Sequence, residues 1–185
     1  MLQHVPAPAR GQLAAASSLA SRQRVATADR PAAAHWARLV GLAVVALSAG
    51  WLLFFVGLDR RDLWSSHEAR AGQNAQSILN AGRLTAPRLY DGQRELQKPP
   101  LYYWLAAGSA WLRGGEVTAW DVRLPAALSA LLGVLALLVF GWHIGRPWLG
   151  FCAALALATM LHYVWLARVG RIDMPLSLAV AAALL

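Results

Sequence analysis

Three short stretches carry the side chains best suited to chemistry. Ser65-Ser66-His67-Glu68 sets an imidazole beside a carboxylate, and Arg70 follows. His67 and Glu68 are candidates for a general base or a metal ligand. The same stretch also fits a helix capping box, with Ser65 as N-cap and Glu68 as its reciprocal partner. Arg70 is either an anion-steering group or an exposed helix arginine. Lys98 stands directly before Pro99-Pro100. An ammonium group at a helix start joins the positive end of the helix, which suits a phosphate contact. Pairing with lipid headgroups fits that position as well. Asp173 precedes Met174-Pro175. A carboxylate at the mouth of a membrane bundle is costly unless it is solvated or paired, here with Arg171 or Arg168. Tyr102 and Tyr103 are the substrate-contact candidates of the segment after Lys98. No paired His/Cys spacing suits zinc, so no metal ligand is assigned. His162 reads as a membrane-edge side chain, and Gly141-xxx-Gly145 is a weak helix-packing motif.

The elements that must hold these residues are apolar helices. Of 185 residues 58% are hydrophobic and 14% charged, whereas a soluble domain carries about a quarter charged residues. A bilayer core about 30 Å thick needs about 20 apolar residues to span it. Residues 39–58, 124–142 and 149–167 meet that need and predict transmembrane helices. A fourth run starts near Pro175 and stops at Leu185, so the chain reads as an amino-terminal piece of a longer protein; a complete short protein is the alternative. Between the first two spans, residues 59–123 form a large polar loop. In it the capped segment from Ser66 to a stop at Gly82 predicts one surface helix. The aromatic segment opened by Pro99-Pro100, with Tyr102, Tyr103, Trp104 and Trp111, predicts a second, lying in the membrane interface. The polar segment 83–98 joins them.

Residues 1–38 are rich in Ala, Ser, Pro and Arg and read as a disordered tail. Their arginines keep that tail in the cytoplasm, so the large loop emerges on the opposite face. Residues 168–174 then lie on the same face as the loop. The formal net charge of +8 does not argue for nucleic acid, because the arginines lie in tails and loops beside apolar helices. Lipid or substrate phosphates are the expected partners. The single cysteine, Cys152, sits in an apolar run and closes no intrachain disulfide.

Taken in order, five motifs resemble those of one family. They are Ser66-His67-Glu68-Ala69-Arg70-Ala71, Pro87-Arg88-Leu89, Lys98-Pro99-Pro100-Leu101-Tyr102-Tyr103-Trp104, Val122-Arg123-Leu124-Pro125-Ala126 and Arg171-Ile172-Asp173-Met174-Pro175-Leu176. The family is that of the membrane glycosyltransferases of the aminoarabinose transferase (ArnT-like) and protein mannosyltransferase superfamily. The resemblance implies an all-α, polytopic transmembrane bundle of the GT-C type with surface helices in the first outer loop. It implies transfer of a sugar, 4-amino-4-deoxy-L-arabinose in the aminoarabinose branch, from a polyprenyl phosphate donor. The acceptor is lipid A in that branch and a glycan or protein in others. The implied location is the bacterial inner membrane, with the active face periplasmic or extracellular. The implied catalytic residues are His67, Glu68 and Asp173; Arg70, Lys98, Tyr102 and Tyr103 are implied to bind substrate. The sequence departs from the family where an Asp-Glu pair is replaced by His67-Glu68, and where Gln97 replaces a glutamate that the aminoarabinose enzymes associate with metal. No cofactor is therefore assigned, and a divalent metal stays an alternative. Competing readings are a non-catalytic transporter segment and an inactive fragment of the enzyme.

Overall fold

The structure, a computed structural model, describes residues 36–82, 87, 93 and 98–184. Most of the tail expected over 1–38, most of the 83–98 segment, and the positions Arg88, Leu89 and Gln97 lie outside the described residues. The chain divides into two compact units, Met1–Leu42 and Ala43–Leu185. Of the first, the described residues are helical. All packing below lies within the second. Among the described residues every regular element is a helix, so the bundle is all-α.

Helix α1 (Trp36–Phe55) stops short of the expected end at 58 because Gly57 takes φ 68, a left-handed turn open to glycine. Helix α2 (Ser66–Ala81) starts where expected: the Glu68 N–H donates to Ser65 Oγ at 3.2 Å. It ends at Gly82, which has φ 63. Helix α3 (Leu101–Arg113) follows the two prolines and is closed by Gly114 and Gly115, both at positive φ. One face of α3 is buried through Tyr102, Tyr103, Ala106, Ala107 and Ala110. The other leaves Leu101, Leu105, Trp111 and Leu112 exposed.

Helix α4 runs from Ala119 to His143, not from residue 124. The Asp121 carboxylate accepts from the Thr118 N–H at 3.0 Å and from its hydroxyl at 2.6 Å. Asp121 and Arg123 therefore belong to the helix itself rather than to the preceding loop. At 25 residues and 1.5 Å per residue, α4 is about 38 Å long, enough to cross a bilayer. It packs against α2, α3, α5, α6 and α7. Its Leu128, Leu132, Leu135 and Val139 stay exposed, as a lipid-facing stripe would.

The run expected as one span over 149–167 is instead two helices, α5 (Pro147–Thr159) and α6 (Leu161–Ala167), bent by 67°. Neither Gly nor Pro marks the break. Met160 is extended at ψ 120, and the Thr159 hydroxyl donates back to the Leu155 carbonyl at 2.8 Å, a bond that competes with helix continuation. Tyr163 pins α6 to α4 by donating to the Ala130 carbonyl at 2.9 Å, over the bare surface of Gly133. Helix α7 (Asp173–Leu184) begins at Asp173, not at 175. A membrane core of Phe54, Phe55, Leu58, Ala126, Ala130 and Met174 lies among α1, α4 and α7. A second core joins α2 and α3 through Ala71, Ala75, Ile78, Tyr102, Tyr103 and Val122.

The α4–α5 hairpin closes where two glycines meet. A Cβ on Gly150 would lie 2.8 Å from the Gly141 Cα and 2.9 Å from the Leu137 carbonyl oxygen. Both obstacles are backbone and cannot rotate away. Overpacking generally costs about 1–3 kcal/mol, so Gly150→Leu is expected to lower the unfolding temperature in detergent. Gly108→Ala, with nothing within 4 Å of the added Cβ, should leave it unchanged or raised. Equal stability of the two variants would remove the close crossing as a determinant.

Candidate functional site

Glu68 makes only half of its capping box. Its backbone caps on Ser65, while its side chain turns inward to Arg123 of α4. Arg123 Nε donates to Oε1 at 2.7 Å and Nη2 donates to Oε2 at 3.2 Å. The Gly170 N–H, from the link between α6 and α7, adds a bond to Oε1 at 2.9 Å. The Arg123 and Glu68 side chains are 1% and 0% exposed. Arg123 donates its remaining hydrogens to the carbonyls of Leu58 at 2.8 Å, Arg61 at 2.7 Å and Asp62 at 2.9 Å. All five guanidinium donors are thereby used.

Glycines make this approach fit. A Cβ on Gly170 would crowd Val122 and come within 3.5 Å of the Glu68 Cγ. One on Gly72 would meet Leu63 Cδ1 at 3.1 Å. Burial alone would raise the Glu68 carboxyl. The Arg123 hydrogen bond, the Gly170 N–H and the charges of Arg123 and Arg61 outweigh that effect and hold it below the usual carboxylate range. Glu68 is thus a charged structural node.

Beside this node lies a small cavity open to solvent. His67 and Ala71 of α2, Lys98, and Tyr102 and Tyr103 of α3 form one wall; Gly170, Arg171 and Ile172 form the other. Among the described residues the lining is basic and aromatic and includes no carboxylate. Tyr102 donates its hydroxyl to the Val122 carbonyl. Burial first, and the charge of Glu68 second, push that hydroxyl well above its usual range, so it stays a neutral donor. The Tyr103 ring stands edge-on to Tyr102 at 6.4 Å.

The residues expected to do chemistry are therefore distributed unequally. His67, Lys98, Tyr102 and Tyr103 line one cavity. Glu68, expected to be catalytic, does not; both of its oxygens are buried and bonded to Arg123 and the Gly170 N–H. Asp173 opens α7 beside the cavity and pairs with Arg171, Nε to Oδ2 at 2.8 Å. Arg168, the other partner considered for it, donates instead to the Leu53, Val56 and Gly57 carbonyls. Arg70 is exposed on α2 and outside the cavity lining. Among the described residues no three His, Cys, Asp or Glu side chains are grouped to hold a metal ion. Sequence reasoning gave no role to Arg123, Asp121 or Gly170. Arg123 stood in one of the quoted motifs, and an arginine flush with an apolar run was the available signal.

The chain is similar to known proteins in both sequence and fold. Residues 97–185 match the family described as dolichyl-phosphate-mannose-protein mannosyltransferase. The undecaprenyl phosphate-α-4-amino-4-deoxy-L-arabinose arabinosyl transferase of Pectobacterium atrosepticum is 36% identical over 123 residues, covering 66% of this chain and 21% of the relative. The transferase of the same name from Serratia proteamaculans is 32% identical over 141 residues, covering 72% and 24%. The crystal structure of ArnT from Cupriavidus metallidurans bound to undecaprenyl phosphate superposes with a TM-score of 0.64 at 28% identity, over 76% of this chain and 26% of that one. The chain spans about a quarter or less of the length of these relatives.

The helical bundle and its polar loop define the class as the polytopic GT-C membrane glycosyltransferase fold. Within that class the chain is similar to the ArnT-like branch of the aminoarabinose transferase and protein mannosyltransferase superfamily.

Removing one partner of a buried ion pair generally costs about 3–5 kcal/mol. Glu68→Ala and Arg123→Ala should each unfold the loop from α4, read as lost protease resistance and a lower unfolding temperature. The Glu68 carboxyl is depressed in the fold, so its contribution is complete above the usual carboxylate range and is lost as pH falls through the folded value. The unfolding temperature of the native chain should therefore drop on acidification, and Glu68→Gln should blunt that drop. An acid profile identical in both proteins would exclude Glu68 as the titrating node.

Proposed function

We propose that this chain forms the donor-phosphate part of the active site of a membrane glycosyltransferase. That enzyme moves a sugar from a polyprenyl phosphate to a lipid A-like, glycan or protein acceptor. The carrying observation is the convergence of His67, Lys98 and Arg171, from three separate segments, on one cavity that no carboxylate lines among the described residues. Such a cavity suits an anion. The names of the Pectobacterium and Serratia relatives, and the undecaprenyl phosphate bound in the Cupriavidus structure, favour a polyprenyl phosphate as that anion and 4-amino-4-deoxy-L-arabinose as the sugar.

In this reading the reaction breaks the bond from the anomeric carbon to the phosphate oxygen and forms one to an acceptor hydroxyl oxygen. Negative charge grows on the phosphate as the sugar leaves. The Lys98 ammonium and Arg171 guanidinium stabilise it, and they do so best in a preorganised, water-poor site. The acceptor proton passes to the His67 imidazole, which acts as general base. Asp173 holds Arg171 through Nε. Glu68 acts as a positioning residue, fixing the 169–172 link against α2 through Gly170. With the basic tail in the cytoplasm, the cavity opens on the periplasmic or extracellular face of a bacterial inner membrane.

The bend at Met160 is the one observation that favours a transporter, since transporters use broken helices near the bilayer midplane. Thr159, Met160 and Leu161 carry no charge that could hold a solute ion, and the ionisable cluster lies at one end of the bundle instead.

Lys98→Ala should lower transfer from undecaprenyl-phosphate sugar by about 100-fold, the scale of losing one preorganised charge contact, with Lys98→Arg partly restoring it. His67→Ala should remove the limb of the pH–rate profile that belongs to the base. Both are measured with labelled donor in membrane-embedded protein, alongside direct binding of undecaprenyl phosphate. Unchanged binding and turnover in Lys98→Ala would sink the assignment.

A further inference from the structure

A second cationic cluster sits apart from the cavity, at the carboxyl end of α1. Arg168 reaches from the end of α6 to that helix end. Its Nη1 donates to the Leu53 carbonyl at 2.8 Å, and its Nη2 to Val56 at 2.9 Å and Gly57 at 3.2 Å. Those carbonyls include ones that α1 cannot satisfy internally. The Arg60 side chain folds over the same turn: a Cβ on Gly57 would lie 2.7 Å from Arg60 Cδ and 3.0 Å from its Nε. Arg61 follows, with its carbonyl fixed by Arg123 and its side chain exposed.

Three guanidinium groups are thus gathered around one short turn. Burial, and then the neighbouring Arg61, Arg123 and Arg60 charges, disfavour the charged form of Arg168. Asp59 and Asp62 flank the pair in sequence, yet among the described residues neither forms an ion pair with an arginine. The turn borders exposed apolar surface: Leu52 and Leu53 of α1, Val56 just after it, and Trp165 of α6. A basic cluster at the edge of such a band stands at headgroup level. None of these arginines lines the cavity.

We propose that Arg60, Arg61 and Arg168 form a second anion site, specific for the phosphodiester headgroup of an anionic membrane lipid. The apolar border selects a lipid over free phosphate, because the acyl chains have a surface to lie on. Arg168 belongs to the scaffold, since it caps α1. Arg60 and Arg61 supply the adjustable contacts. The site does not depend on the glycosyltransferase reading.

The test uses the full chain reconstituted in vesicles of equal phosphatidylcholine and phosphatidylglycerol, followed by extraction and quantification of the lipids that remain bound. The native chain should retain phosphatidylglycerol preferentially. Arg60→Gln/Arg61→Gln should reduce that preference by about 30-fold, given the typical contribution of two interfacial basic residues, with an unchanged unfolding temperature. Arg60→Lys/Arg61→Lys should keep most of it, and so should Lys98→Ala. Equal retention by the native chain and the glutamine variant would overturn the proposal. So would displacement of the lipid by inorganic phosphate, or loss of the preference in Lys98→Ala, which would assign the lipid to the cavity.

Discussion

The fold around the cavity rests on one buried ion pair, Glu68 with Arg123. Two charges taken out of water are costly unless every hydrogen-bonding atom finds a partner. Here that condition is met on the arginine side by Glu68 and three carbonyls of the 58–62 turn, and on the glutamate side by Arg123 and the Gly170 N–H. One guanidinium and one carboxylate tie residues 58–68 to the start of α4 and to Gly170, both remote in sequence. The turn after α1, the start of α2 and the link before α7 cannot shift independently. His67 and Arg171 each sit next to a member of that network, so their positions at the cavity are inherited from it.

Helix α4 is where this constraint meets the membrane. Its first turns carry Asp121 and Arg123, both buried; its later turns are apolar and partly exposed. Asp121 does for α3 what Arg123 does for α2. It accepts from the Ser109 hydroxyl at 2.6 Å and pairs with Arg113 at 3.5 Å. Pro125 removes an N–H from the same region, and the Tyr102 hydroxyl supplies a donor to the Val122 carbonyl nearby. One helix thus changes along its length from a lipid-facing span to a polar scaffold. That explains how a loop with so many charges packs as a second core directly on the membrane bundle.

Much of this was legible in the sequence, and the exceptions share a cause. Ser65, Gly82, the Pro99-Pro100 pair and Gly114-Gly115 act locally, so the ends of α2 and α3 could be read from neighbouring residues. The partner of Glu68 is 55 residues away and the Gly170 N–H is 102 residues away. No local spacing encodes either bond, and the capping-box pattern offered a nearer and incomplete partner. Charges inside an apolar run read as its boundary, which moved the expected start of α4 past Asp121 and Arg123. The break at Met160 has no glycine or proline: the Thr159 back-bond is joined by a tertiary contact, Tyr163 to a carbonyl of α4, that no local spacing encodes. Lys98, His67, Tyr102 and Tyr103 could be nominated by type, but only the folded chain brings them to one wall.

The division between acids and bases follows from the same electrostatics. The carboxylates of Glu68, Asp121 and Asp173 are each bound to an arginine, so the charges that would repel an incoming phosphate are neutralised within the scaffold. Lys98 and Arg171 line the cavity, and Arg171 shares its charge with Asp173 through Nε. In the proposed function, an aspartate at position 67 would place a fixed negative charge on the cavity wall close to the donor phosphate, and an imidazole there avoids it. The His67-Glu68 pair keeps the structural half of the acidic pair, since the glutamate still meets Arg123, and changes the charge of the half that lines the cavity.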